Sequence, residues 1–171
     1  FTNSGTEAIM TAVRLVRSVS GRQKIVIFSN SYHGTFDGIL GRSKSNDPTK
    51  VGTPVAPGIP ASLVEDLYVL EYGTPEALKF ISEHGKTLAA VMVEPVQSRH
   101  PEQHFGKFLK DLRQLTQESG TALIFDEVIT GFRTGNGGAQ EYFGVKADLA
   151  TYGKVLGGGL PIGAIAGMSD Y

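Results

Sequence analysis

Two kinds of hydrophobic pattern alternate along the chain. Short continuous apolar runs occupy residues 25–28, 67–70, 88–93, 122–125, 149–152 and 164–166. The first of them, Ile25-Val26-Ile27-Phe28, is too short and too β-branched for a helix, and all six predict strands. Between them lie segments whose apolar positions recur every three or four residues. Ile9, Ala12, Val13, Val16 and Ser20 form such a stripe, with Arg14 and Arg17 off it. This predicts a helix from Ser4 to about Ser20. Ser4-Gly5-Thr6-Glu7 supplies its capping box, and Gly21 suits the position just past its end. Thr74-Pro75-Glu76 opens a second helix, with a cap, a first-turn proline and a first-turn acid, that ends near Gly85. Phe105, Phe108, Leu109, Leu112 and Leu115 mark a third, which stops at Gly120.

Less periodic segments separate these elements. Residues 29–41 read as a loop with one helical turn. Residues 44–61 contain four of the eight prolines and read as an extended excursion. Long loops of that kind are often functional. The strand–helix–strand repetition predicts right-handed crossovers and a mostly parallel sheet, an α/β architecture. Such sheets bind ligands beyond the carboxyl ends of their strands. Tyr32 and His33, Glu94 and Gln97, Asp126, and Lys154 each follow a different predicted strand.

Charge and composition then narrow the function. Sixteen basic residues against 17 acidic ones leave a net charge of −1, without the basic excess of a nucleic-acid or membrane-surface binder. No stretch approaches the roughly 18 apolar residues of a membrane span. The chain has no cysteine, which excludes disulfides, thiolate zinc sites and a cysteine nucleophile and is compatible with a reducing cytoplasm, the expected location. It begins with Phe1 and ends at Tyr171, just after a strand-like run. The expectation is therefore a single partial domain, 1–171, of a larger protein.

Several polar positions invite chemistry. Ser4-Gly5-Thr6 precedes a helix, where free amides and the dipole attract phosphate; a simple cap explains the same residues. Asp126 ends an apolar strand, a costly place for a carboxylate without a cationic partner. A pyridinium N–H would serve as that partner, and so would local backbone donors. Leu123-Ile124-Phe125-Asp126-Glu127 also fits a Walker B strand. Its companion loop, G-x-x-x-x-G-K-S/T, is missing: before Gly85-Lys86-Thr87 the first glycine is replaced by Phe80, and before Gly153-Lys154 by Asp148. A Rossmann glycine fingerprint is absent too.

Lys154 stands 28 positions after Asp126, between a strand and the triplet Gly157-Gly158-Gly159. An imine-forming lysine must lose its proton, and desolvation favours that; an ordinary surface lysine is the alternative. Tyr32 offers a plane that could stack on a ring or pack over the core. His33 suits a supporting role more than catalysis. His100 and His104 lack companions at ligand spacing, so no metal site is expected. Arg42, Arg99 and Arg133 could each meet a substrate carboxylate.

Taken together, Asn3-Ser4-Gly5-Thr6-Glu7-Ala8, Tyr32-His33-Gly34, Glu94-Pro95-Val96-Gln97, residues Asp126 to Arg133 and Gly153-Lys154 through Gly163 resemble the class III pyridoxal-phosphate aminotransferases, in order and over nearly the whole chain. The resemblance implies a fold type I large domain with a mostly parallel seven-stranded sheet and helices on both faces, its small domain absent. It implies pyridoxal 5′-phosphate as cofactor, with Lys154 as the imine-forming catalytic lysine and Asp126 pairing with the pyridine nitrogen. Ser4, Gly5 and Thr6 would hold the phosphate, Tyr32 and Val128 the two ring faces, and Gln97 the phenolic oxygen. Glu94 and His33 would support the site, and Arg133 would meet substrate.

An amino acid donor, a keto acceptor and a homodimer whose partner contributes a phosphate-binding threonine are also implied. The chain alone is then not expected to be active. Gly137-Gly138-Ala139-Gln140 and Phe143-Gly144-Val145 are similar to glutamate-1-semialdehyde aminomutases. Tyr32-His33-Gly34-Thr35 and Gln97-Ser98-Arg99-His100-Pro101 look more like aminotransferase domains in hybrid polyketide–nonribosomal peptide synthetases. There the acceptor is a keto group on a carrier-protein-bound acyl chain.

Overall fold

The computed structural model describes residues 1–43 and 51–171. Helix α1 (Gly5–Ser20) starts on Ser4, whose hydroxyl accepts from Glu7 N at 3.2 Å. The Glu7 carboxylate closes the box on Asn3 N at 2.6 Å, one residue earlier than the sequence motif suggests. Gly21, in left-handed backbone with φ 68°, ends the helix.

Strands β1 (Lys24–Phe28), β4 (Leu67–Leu70), β5 (Leu88–Val93), β6 (Ala122–Asp126), β7 (Leu149–Tyr152) and β8 (Ala164–Gly167) form one sheet in the order β4-β1-β5-β6-β7-β8. All pairings are parallel except β7 with β8. The described residues thus give six strands where the resemblance implied seven. The antiparallel edge strand follows from its connection, residues 153–163, which holds a single 3-10 turn at Lys154–Gly157 and no crossover α-helix. Two further strands, β2 (Gly41–Arg42) and β3 (Thr53–Pro54), make a separate antiparallel ribbon, so the excursion is partly paired. Residues 44–50 of that excursion lie outside the described residues.

Both faces of the sheet are buried, which explains the unbroken apolar runs. Alternate residues face opposite ways. Val26, Phe28, Val91, Val93, Leu123 and Phe125 join the core beneath α2 (Pro75–His84), α3 (Gly106–Ser119) and α4 (Gly138–Phe143). Ile25, Ile27, Ala90, Met92, Ala122 and Ile124 join the core beneath α1. Thr74 caps α2 as expected, accepting from Ala77 N at 3.3 Å. Helix α4 is not evident from periodicity, because it has only six residues and is flanked by glycine. Among the described residues no helix is long and apolar enough to cross a membrane.

At the amino-terminal edge of the sheet, Arg22 ties three connections together. Its Nη1 donates to Leu88 O and Gly120 O at 3.0 Å and to Gly85 O and Ser119 O at 3.4 Å. Two of these carbonyls end α3, where the helix dipole favours a cation. Arg22→Ala is expected to lower the unfolding free energy by about 2 kcal/mol, the scale of a charge-assisted hydrogen bond lost. Urea unfolding of the complete protein checks this, with Arg22→Lys intermediate because an ammonium keeps the charge but not the fixed planar fork of the guanidinium. An unchanged midpoint in Arg22→Ala would refute it.

Candidate active site

The carboxyl ends of β1, β5, β6 and β7 deliver their polar residues to one side of the sheet, next to the start of α1. A cavity of about 180 Å³ there is lined by Ser4, Gly5 and Thr6 from α1, Tyr32 and His33 after β1, Glu94 after β5, Asp126 and Val128 at β6, and Lys154 after β7. Residues 126 and 154, far apart in sequence, thus meet at one cavity because β6 and β7 are neighbours, with Asp126 opposite Thr151.

Asp126 is 4% exposed. Its Oδ2 accepts from His33 Nδ1 at 2.7 Å, since an ionised carboxylate can only accept. Its Oδ1 accepts from Val128 N at 3.1 Å and lies 3.5 Å from the Thr151 hydroxyl. Each oxygen keeps capacity for a further donor. His33 is itself buried, and its Nε2 has no hydrogen-bond partner. Asp126 is therefore fixed in place by neighbours that leave room on its carboxyl group for a donor in the cavity.

The first turn of α1 lines the same cavity. Gly5 and Thr6 occupy the first turn of α1, where amides have no acceptor within the helix. The Thr6 hydroxyl accepts from Thr35 N at 3.3 Å and keeps its own proton to donate. Gly34, at φ 87°, lies so close to Thr6 that any Cβ there would collide with its side chain. Val128 wedges against the same turn, 2.9 Å from where a Cβ on Gly5 would sit. Free amides and an acid on one cavity suit a group that carries both a phosphate and a ring N–H.

Tyr32 lines the cavity with its ring 45% exposed. Glu94 lines it too, and accepts from Tyr32 N at 2.9 Å and Ser98 N at 3.3 Å, which fixes the loops after β1 and β5. Lys154 lines the cavity but counts among the exposed residues, so the described residues do not supply the desolvation expected for its amine. It is also one of only three non-glycine residues described with positive φ, at 46°.

Gln97 does not line this cavity. Its amide donates to Ser29 O at 2.7 Å and Ser31 Oγ at 2.9 Å. Arg133 is exposed and also lies away from it. Arg42 and Arg99 instead border an adjoining cavity of about 850 Å³ that shares Tyr32 and His33. His100 lies 3.4 Å from Glu102, and no cluster suited to a metal exists among the described residues.

Ser98 and Ile129 also line the small cavity; both lie within the quoted motifs, which assigned them no role. Glu127 is 1% exposed and serves α4, not the cavity, which removes the second acid that a Walker B reading requires.

Beneath Glu94 the buried Tyr72 hydroxyl donates to Pro95 O at 3.0 Å. Burial, and then the charge of Glu94, push this phenol well above its ordinary value. The folded chain therefore holds the phenolic proton more tightly than the unfolded one. The resulting stability is complete below about pH 10, the unperturbed phenol value, and is lost as pH rises further. Tyr72→Phe is expected to flatten the decline of urea midpoints between about pH 9 and 11. An unchanged slope would count against it.

Comparison with known proteins agrees with this geometry. A model of the family described as aminotransferase class-III matches residues 1–170. Glutamate-1-semialdehyde 2,1-aminomutase of Methanococcus maripaludis is 47% identical over 176 residues, covering 100% of this chain and 40% of the relative. The enzyme of the same name from Thermomicrobium roseum is 49% identical over 172 residues, covering 99% of this chain and 40% of the relative.

Among solved structures, an ω-transaminase from Sphaerobacter thermophilus superposes with a TM-score of 0.88 at 36% identity, over 99% of this chain and 40% of that one. A transaminase with PLP bound gives 0.87 at 34% identity, over the same shares. The chain thus spans about 40% of the length of the relatives it matches. With the family's pattern matched from end to end and its sheet reproduced, the chain belongs to the class III aminotransferases.

Proposed function

We propose that the complete protein transfers amines with pyridoxal 5′-phosphate, and that this chain is the larger part of its cofactor-binding domain. One observation carries the reading: Asp126, Lys154 and the open first turn of α1 wall a single cavity. When bound there, pyridoxal phosphate supplies an aldehyde that captures amines and a protonated ring that accepts an electron pair from carbon.

The protein's own residues would do the rest. Gly5 and Thr6 amides, with the Thr6 hydroxyl, would bind the phosphate. Asp126 would hold the pyridine N–H and keep the ring cationic, and His33 would keep Asp126 in place. Tyr32 and Val128 would confine the ring, and Glu94 would fix the backbone that carries Tyr32. Lys154 Nζ would hold the cofactor through its aldehyde carbon and, as a free amine, would carry a proton between the reacting carbons. The exposure of Tyr32 and Lys154 supports closure of the site by the rest of the protein and a second subunit.

The relatives' names support an aminomutase acting on glutamate 1-semialdehyde, in which the amine moves within one molecule. The adjoining 850 Å³ cavity, larger than a five-carbon substrate needs, favours a second reading: an intermolecular aminotransferase whose keto acceptor is an acyl chain carried on a protein. Both share the Lys154 chemistry, which borohydride tests. Reduction of the complete, cofactor-loaded protein should fix the cofactor on the peptide containing Lys154. Fixation on another lysine, or none, overturns the proposal. Turnover of glutamate 1-semialdehyde without an added amino donor selects the aminomutase; donor-dependent amination of a carrier-bound β-keto thioester selects the other.

A further inference from the structure

Strand β6 ends in two adjacent acids with separate destinations. Asp126 faces the cavity. Glu127 turns inward, where its Oε2 accepts from the Thr130 hydroxyl and Ala139 N, both at 2.8 Å, and its Oε1 accepts from Gln140 N at 3.2 Å. A buried carboxylate with no cation beside it is tolerated only when its oxygens are satisfied in this way. The packing leaves no slack, since a Cβ on Gly138 would collide with the Glu127 carboxylate.

Gln140 carries the connection onward. Its Oε1 accepts from Ala147 N at 3.0 Å, and its Nε2 donates to the Tyr152 hydroxyl at 3.3 Å. Tyr152 ends β7, two residues before Lys154. Its ring lies against Phe132 at 5.7 Å and within 2.7 Å of where a Cβ on Gly131 would stand. The β6–β7 ladder itself stops at Asp126 and Thr151. Beyond that point, the backbone leading to Lys154 is held by the Glu127 N–Thr151 O bond at 2.9 Å, by β8, by the packing of Gly153 on Gly5 and Val128, and by this side-chain bridge. Lys154 needs such support, because a non-glycine residue in left-handed backbone persists only where its surroundings over-determine it.

We infer that Glu127 and Gln140 are positioning residues that set the spacing between Asp126 and Lys154, acting through helix α4 and the Tyr152 hydroxyl. The inference rests on the proposed roles of Asp126 and Lys154. It gives the Gly-Gly-Ala-Gln segment, residues 137–140, a purpose: Gly138 admits the Glu127 carboxylate and the glutamine passes its hold to β7.

Gln140→Leu and Tyr152→Phe in the complete protein test it without removing a buried charge. Each is expected to weaken cofactor binding about tenfold, the effect of one well-placed hydrogen bond. Each is also expected to shift the pH midpoint of the bound cofactor's absorption, which reports the electrostatic surroundings of Lys154. The double variant should be no worse than Gln140→Leu alone, since that substitution already cuts the Tyr152 link together with the Ala147 one. If both single variants only lower the unfolding midpoint, leaving cofactor affinity and the absorption midpoint at wild-type values, the bridge is merely structural and the inference fails. Borohydride fixation on Lys154 in the wild type separates that result from failure of the proposed chemistry.

Discussion

Lys154→Ala in the complete protein should abolish turnover, lowering kcat by more than about 10⁴-fold, the upper range for loss of a positioned proton-transfer group. The variant should still bind the cofactor, because the amides of Gly5 and Thr6, the Thr6 hydroxyl and the Asp126 carboxylate are untouched. Its cofactor should absorb as a free aldehyde and wash out on dialysis, and borohydride should leave no label on the protein. It should also fold at least as well as wild type, since alanine brings no new bulk to an exposed position. Steady-state assays with absorption spectra check all of this. Residual activity within about a hundredfold of wild type would place the transferring amine elsewhere.

Asp126→Asn is expected to lower kcat by about 10² to 10³-fold, the scale on which a buried opposite-charge partner is removed. The carboxamide has nearly the shape of the carboxylate and can still accept from Val128 N, now at 3.1 Å from Oδ1. It cannot offset a cationic ring. The cofactor nitrogen should therefore shed its proton near neutral pH, and the absorption band should move accordingly. His33 loses its carboxylate partner in the same variant, so His33→Asn should reproduce part of the defect without changing the ring's direct contact. If Asp126→Asn keeps kcat within tenfold, the carboxylate is only a structural acceptor for His33 and Val128.

Most of this fold was legible from local pattern. The strands are continuous apolar runs because both sheet faces are covered, and α1, α2 and α3 carry stripes with caps. Helix α4 was not legible, because its stability comes from Glu127 capping it across 12 residues, a tertiary contact with no periodic trace. The antiparallel β8 was hidden for a related reason: a four-residue apolar strand does not encode its direction.

At the site, residues whose chemistry is unusual for their place stood out: an acid closing an apolar strand and a lysine among glycines. Gln97 and Arg133 did not join them, because a motif fixes identity and not which neighbour a flexible side chain chooses. Gln97 is taken by Ser29 and Ser31, carried there by the parallel neighbours β1 and β5. The exposure of Lys154 was equally hidden, since it depends on what lies over the site.

The left-handed turn at Lys154 has a bearing on engineering. Glycine adopts that backbone freely, whereas a side chain there costs about 1 kcal/mol or more. Libraries ranked by heat tolerance alone would thus drift toward replacing the one amine that the proposed chemistry requires. Any campaign to harden this enzyme should score survivors by amine transfer from the first round.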